Sequence, residues 1–244
     1  KEDSGAAFKS AMQIALATSV VQAGTAVDAA KMNNLENGVD GLDTLLDAVN
    51  IQQANLLTGW INPNQTWTYA SATTFRVSGN VTAMFPVGTK IQLVQSSTTK
   101  YFYVIGASYS APNTTVTVTG GSDFSLVNAA ITGNYISYAA TPQGFPKKFT
   151  CTLAPTGYAG TPTTDGYFYM IGSICFLKLY VDGTSNAPTL TVSLPIAASE
   201  PQGGPIRVMD NGAWVAGFGY FEVSGSTMTV YKDALANSFT ASGT

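Results

Sequence analysis

The chain has 244 residues, of which 45% are apolar and only 10% charged, with a net charge of −3 and no histidine. No stretch concentrates Lys or Arg, which excludes binding through the backbone of nucleic acid and disfavours anionic membrane surfaces as partners. The missing histidine removes the commonest general base and the commonest metal ligand together.

Residues 1–24 match no motif and are read as an N-terminal attachment segment. Their apolar run "AMQIALATSVV" is too short and too interrupted for a membrane span, and Glu2 and Asp3 ahead of it disfavour a signal peptide. Thr25 and Asp28 then predict a capping box. From there to Trp60 the pattern is helical. Met32, Leu35, Val39, Leu42, Leu46, Val49, Gln53 and Leu56 alternate spacings of three and four, an a/d seam with Gln53 as its one polar member. Asp40, Asp43, Asp47, Asn50 and Gln52 surround the stripe and leave little apolar surface for a second contact. Gly38 and Gly41 each cost about 1 kcal/mol of helix propensity, so an isolated helix is weak and assembly must stabilise it. The stripe is therefore expected to pack on copies of itself, the competing expectation being the chain's own β domain. Met, Val, Leu and Gln at the a positions leave two, three or four strands open.

After residue 60 the period changes to two. "TTFRVSG" sets Phe75 and Val77 on one face, "TKIQLVQS" sets Ile91 and Leu93, and "TTVTVTG" sets Val116 and Val118. "KIQLVQ" and "KYFYVIG", joined by "SSTT", predict a hairpin. These strands predict a small sandwich or barrel within residues 61–142. "TPQGFPKKF" reads as the boundary to a second β region, residues 143–244. There "GYFYMIGSICFLKLYVDGTS" is one long apolar stretch ending at an Asp182-Gly183 turn, with "PTLTVSLP" as its expected partner. "GAWVAGFGYFEV" and "STMTVYK" predict a hairpin at Ser224-Gly225, and "SFTASGT" a closing strand. The expected fold is mainly β with an N-terminal helical arm at residues 25–60: a short coiled coil, then two antiparallel sandwich or barrel domains, the second of jelly-roll type.

"WTYASATTFRVSGNVTAMFPVGTKIQLVQSSTTKYFYV", with "NAAITGNYISYAATPQGFP", resembles a β domain of tail-fibre and other appendage proteins of tailed bacteriophages. "KMNNLENGV" looks like the short helix that precedes such domains, and the strands from "YMIGSICFLKLYV" onward are similar to fibre tip domains. The resemblance implies a homotrimer on a virion, attached to other virion proteins through its N-terminal segment and displaying its C-terminal domain toward a host cell-surface glycan. A capsid-attached head fibre or decoration protein shares every one of these features. A polysaccharide depolymerase is the enzymatic alternative.

That alternative needs two carboxylates flanking a glycosidic bond. Beyond the arm the acidic residues are Asp123, Asp165, Asp182, Glu200, Asp210, Glu222 and Asp233. Asp165, Asp182 and Asp210 stand beside Gly or Asn and read as turn formers, Glu222 as a solvent-facing strand residue, and Glu200 as a loop residue. No two share a local motif, so no catalytic, cofactor or metal residue is assigned and the chain is read as non-enzymatic. Tyr158, Trp214 and Tyr220 are the candidate ligand contacts, because flat rings with a polar tip suit interfaces with sugars. Tyr158, beside Gly157, is the one expected on an exposed loop. Cys151 and Cys175 lie in apolar runs and read as buried thiols, with a disulfide left open. Sequons at Asn64, Asn80 and Asn113 read as coincidence in a chain rich in Asn, Ser and Thr.

Overall fold

The computed structural model describes residues 29–235 and 237–240, and the chain divides into two units at residues 58 and 59. The capping box and the attachment segment lie outside the described residues. The protein is mainly β, with 45% of the described residues in strands.

The first unit contributes one helix, α1 (Ala29–Thr58), and among the described residues of that unit no strand. Gly38 and Gly41 sit inside it with open space where a side chain would project. At φ +75° the following Gly59 takes the left-handed conformation that commonly ends helices.

In the second unit the alternating segments become β1 (Trp67–Ser71), β2 (Thr74–Ser78), β3 (Lys90–Gln95), β4 (Thr98–Ser110), β5 (Asn113–Thr119) and β6 (Thr132–Ser137). They form one antiparallel sheet in the order β1-β2-β5-β4-β3-β6, curled into an open half-barrel. Phe75, Val77, Ile91, Leu93, Val116 and Val118 all point into its core, as their alternation predicts. Trp67 stacks on Phe75 at 4.5 Å between ring centroids, and Phe85 meets both rings edge-on at 5.8 Å. The β3–β4 hairpin turns on Ser96 and Ser97 alone, both with positive φ, so the turn is tighter than "SSTT" suggested.

Among the described residues ten further strands follow. β7 (Phe149–Thr150), β9 (Thr163–Ile171) and β10 (Ile174–Asp182) form a three-stranded sheet with β10 at its edge. β8 (Pro155–Thr156), β11 (Leu190–Ser193), β12 (Gln202–Ile206), β15 (Gly219–Ser224) and β16 (Thr227–Tyr231) form a five-stranded sheet in the order β12-β15-β16-β11-β8. β13 (Met209–Asp210) and β14 (Ala213–Trp214) make a small hairpin. The long apolar stretch forms the β9–β10 hairpin, folded at Gly172 and Ser173. Two expectations need correction. "PTLTVSLP" pairs as β11 with β16 and β8, not with β10. Of the expected closing strand, residues 238–240 form no strand and residues 241–244 lie outside the described residues; Phe239 is buried and its N–H donates to Pro188 O at 3.0 Å. The hairpin at Ser224-Gly225 forms as expected between β15 and β16.

The outer face of β4 is covered rather than solvated. Tyr103 shares a core with Phe149 and Phe168 of the three-stranded sheet and with Val192, Val223 and Met228 of the five-stranded one. "TPQGFPKKF" supplies Phe145 and Phe149 to this joint. Their rings lie 5.0 and 5.4 Å from Tyr103, each near edge-on, an arrangement worth about 0.5–1.5 kcal/mol per pair beyond area burial. Trp60 closes the cluster: its ring packs on Tyr101 and Phe145, and its Nε1–H donates to Gln143 O at 2.8 Å.

Candidate functional site

Two features stand out, one in each unit. On α1 the stripe residues Met32, Leu35, Leu42, Leu46 and Val49 are 41% to 61% exposed, and Gln53 is exposed as well. Val39 is buried, and the Leu56 side chain lies outside the described residues. Apolar exposure also extends past the seam to Leu45, Ile51 and Leu57, more than the surrounding polar residues suggested.

In the second unit a cleft of ≈ 410 Å³ opens between β10, the β13–β14 hairpin and the face of β11 and β16. It brings Tyr158 and Trp214 together. Trp214 is 57% exposed, and the Arg207 guanidinium lies over its ring at 3.9 Å. That stack presents a flat apolar plate backed by a fork of donors. The Arg207 role had no sequence signal, because its stacking partner lies across a hairpin whose turn residues are Asn211 and Gly212, both at positive φ.

Tyr158 is not on a free loop. It bridges to Ser185, and hydrogen bonds run on either side of it: Ala159 N–H to Thr184 O at 2.7 Å and Asn186 N–H to Gly157 O at 2.9 Å. Its ring is half-buried against Leu190, Val208 and Phe239. Burial, and then the nearby Asp182 charge, push its phenol above the ordinary value. Tyr220 does not join the cleft. It pairs with Tyr231, while its neighbour Phe221 pairs with cleft-lining Val230, so Tyr220 lies on the opposite face of the sheet, stacked on Tyr231 at 6.4 Å.

Two carboxylates, Asp182 and Asp210, line the cleft. Asp210 closes β13, one residue ahead of the Asn211-Gly212 turn rather than in it, and is a buried anchor. It accepts hydrogen bonds from Thr240 N–H and Thr240 Oγ1–H, both at 3.1 Å, and from Lys232 Nζ at 2.8 Å. Burial works to raise its carboxyl, yet the bonds from Lys232 and Thr240, together with the Lys232 charge, outweigh it and hold the carboxyl below the ordinary range. Asp165 is not a turn former: it lies within β9 and pairs with Lys178 across the hairpin at 3.2 Å. Asp123 accepts from Thr150 N–H at 2.8 Å and from the Thr150 hydroxyl. Asp233 accepts from the N–H groups of Leu235 and Asn237, and Glu222 is exposed on its strand. Both cysteines are free thiols, Cys151 buried and Cys175 exposed, which corrects the expectation that both are buried. Among the described residues no cluster of three His, Cys, Asp or Glu side chains is present, and no helix is long and apolar enough to cross a membrane. Comparison with protein-family models, curated proteins and solved structures finds no match to this chain.

Proposed function

We propose that the chain is a non-enzymatic building block of a tailed-phage virion, a homotrimeric tail fibre or tail-associated appendage. The helical arms associate as a short coiled coil along the stripe, and two sandwich-like β regions follow. The aromatic cleft faces outward and contacts sugars of the host surface. One observation carries this reading: a helix of 30 residues keeps an a/d stripe largely bare in the single chain, and such a surface is stabilised by burial against copies of itself. Three parallel copies repeat the cleft around one axis, so weak single contacts add by multivalency.

The depolymerase reading rests on Asp182 and Asp210 sharing the cleft. It is disfavoured because Asp210 is locked in its ionised form by Lys232 and Thr240, the reverse of what a general acid requires. The test is the mass of the native protein at micromolar concentration by sedimentation equilibrium. A trimer is expected; a monomer overturns the proposal. Binding of the intact protein to host glycan, lost in Trp214→Ala and without release of reducing sugar, completes the expected result.

A further inference from the structure

A larger cavity, ≈ 780 Å³, lies elsewhere in the second unit, between the outer face of β3 and β4 and the β9–β10 turn. Its walls are mostly carbon: Pro86, Pro142, Tyr103, Phe145, Tyr169 and Met170. Lys90 lines it too, although the residue is only 6% exposed. The Lys90 ammonium donates one hydrogen bond, to Ala139 O at 2.9 Å, and lies over the rings of Tyr103 and Phe145 at 5.8 and 5.7 Å. An ammonium has three N–H donors, and ring faces accept only weakly. A second lysine, Lys147, stands among the lining residues, and among the described residues no carboxylate does. The cavity therefore combines apolar walls with uncompensated positive charge.

The cavity is built into the fold rather than left by loose packing. Gly88 takes φ +89°, and a Cβ there would stand 1.9 Å from Gly172 O, so the β9–β10 turn closes directly onto the backbone beside Lys90. Burying a lysine without a counter-charge is costly, and a sheet stabilised only by packing would carry an apolar residue at this position.

We propose that this cavity binds a small organic anion with an apolar body, a carboxylate whose oxygens take the remaining donors of Lys90 while its hydrocarbon or ring packs on Tyr103, Phe145 and the prolines. A charge-assisted bond is stronger than a neutral one, and it gives the cavity selectivity for anions over neutral molecules of the same shape. Burial lowers the Lys90 ammonium from its ordinary value, so anion binding weakens earlier on the alkaline side than an exposed lysine would allow. The proposal is independent of oligomeric state.

Titration calorimetry of the full chain with 4-phenylbutyrate and with the neutral 4-phenylbutanol tests it. The carboxylate is expected to bind at least tenfold more tightly than the alcohol. Lys90→Met, which keeps the side-chain volume, should abolish that preference while still binding the alcohol, with its circular dichroism spectrum unchanged. Should Lys90→Met lose its fold, Lys147→Met and the wild-type pH profile carry the decision: a weaker carboxylate affinity in the former, and a loss of affinity at alkaline pH in the latter, are both expected. Equal affinity for the two probes, no binding of either, or an undiminished carboxylate preference in a folded Lys90→Met each overturns the proposal.

Discussion

Truncating Leu42 to alanine separates association along the seam from general apolar exposure. Leu42 occupies a d position and is 61% exposed in the single chain; Ile51 is also 61% exposed but occupies an f position, on the outer side of a bundle. Burying a whole leucine side chain is worth about 1.5–3 kcal/mol, and the exposed 61% corresponds to about 1–2 kcal/mol per helix. Three helices lose about 3–5 kcal/mol together, a factor of about 10² to 10⁴ in the monomer–trimer constant. Sedimentation equilibrium over a nanomolar to micromolar range reads this directly. Leu42→Ala should raise the midpoint of assembly about tenfold or more, the change in the constant being shared over two association steps, while Ile51→Ala should leave it in place. Equal shifts for the two variants, or no shift for either, would refute burial of the seam, because the two side chains are isomers of equal exposure that differ chiefly in where the heptad puts them.

Phe149→Ala should destabilise the second unit by about 3–5 kcal/mol in denaturant unfolding, because its fully buried ring packs on Tyr103 of the six-stranded sheet and on Phe168 of the three-stranded one. Gly88→Ala should be nearly as damaging, at about 2–4 kcal/mol, since the left-handed backbone and the clash with Gly172 O act together; a neutral result would show that the β9–β10 turn is free to move. The Asp210 carboxyl is held below its ordinary value, so its contribution is present above that value and lost as the pH falls through the lower, folded one. Unfolding free energy should therefore drop on acidification, and Asp210→Asn should flatten that drop while removing about 1–3 kcal/mol at neutral pH.

Strands that pack one face were legible in the sequence. β2, β3 and β5 place Phe75, Ile91 and Val116 inside by simple alternation, and the Ser224-Gly225 turn announces its hairpin. The β9–β10 hairpin was not legible, because apolar residues run across its turn and Gly172-Ser173 is a weak punctuation inside "MIGSICF". The candidate site was half legible. Composition marked Tyr158 and Trp214, but pairing register, which one sequence does not carry, decides that they share a cleft and that Tyr220 turns away. Lys90 was invisible for a related reason. On a strand whose alternate face is core, it reads as the solvated side. The clue lay across the ladder: its direct partner is Tyr103, and an aromatic rather than polar outer face signals a second covering layer.

The placement of β10 has a consequence for handling the protein. It runs nine residues along the rim of its sheet, with Ile174, Phe176 and Tyr180 exposed. A long rim strand with open backbone groups and bulky side chains is a template for stray strand addition, which natural sheets suppress with charges or bulges. Here Lys178 and Asp182 are the charged residues along that strand, so they serve as gatekeepers. Neutralising Lys178 should turn a soluble preparation into one that precipitates or forms thioflavin-positive aggregates on concentration, without lowering the stability of the fold itself.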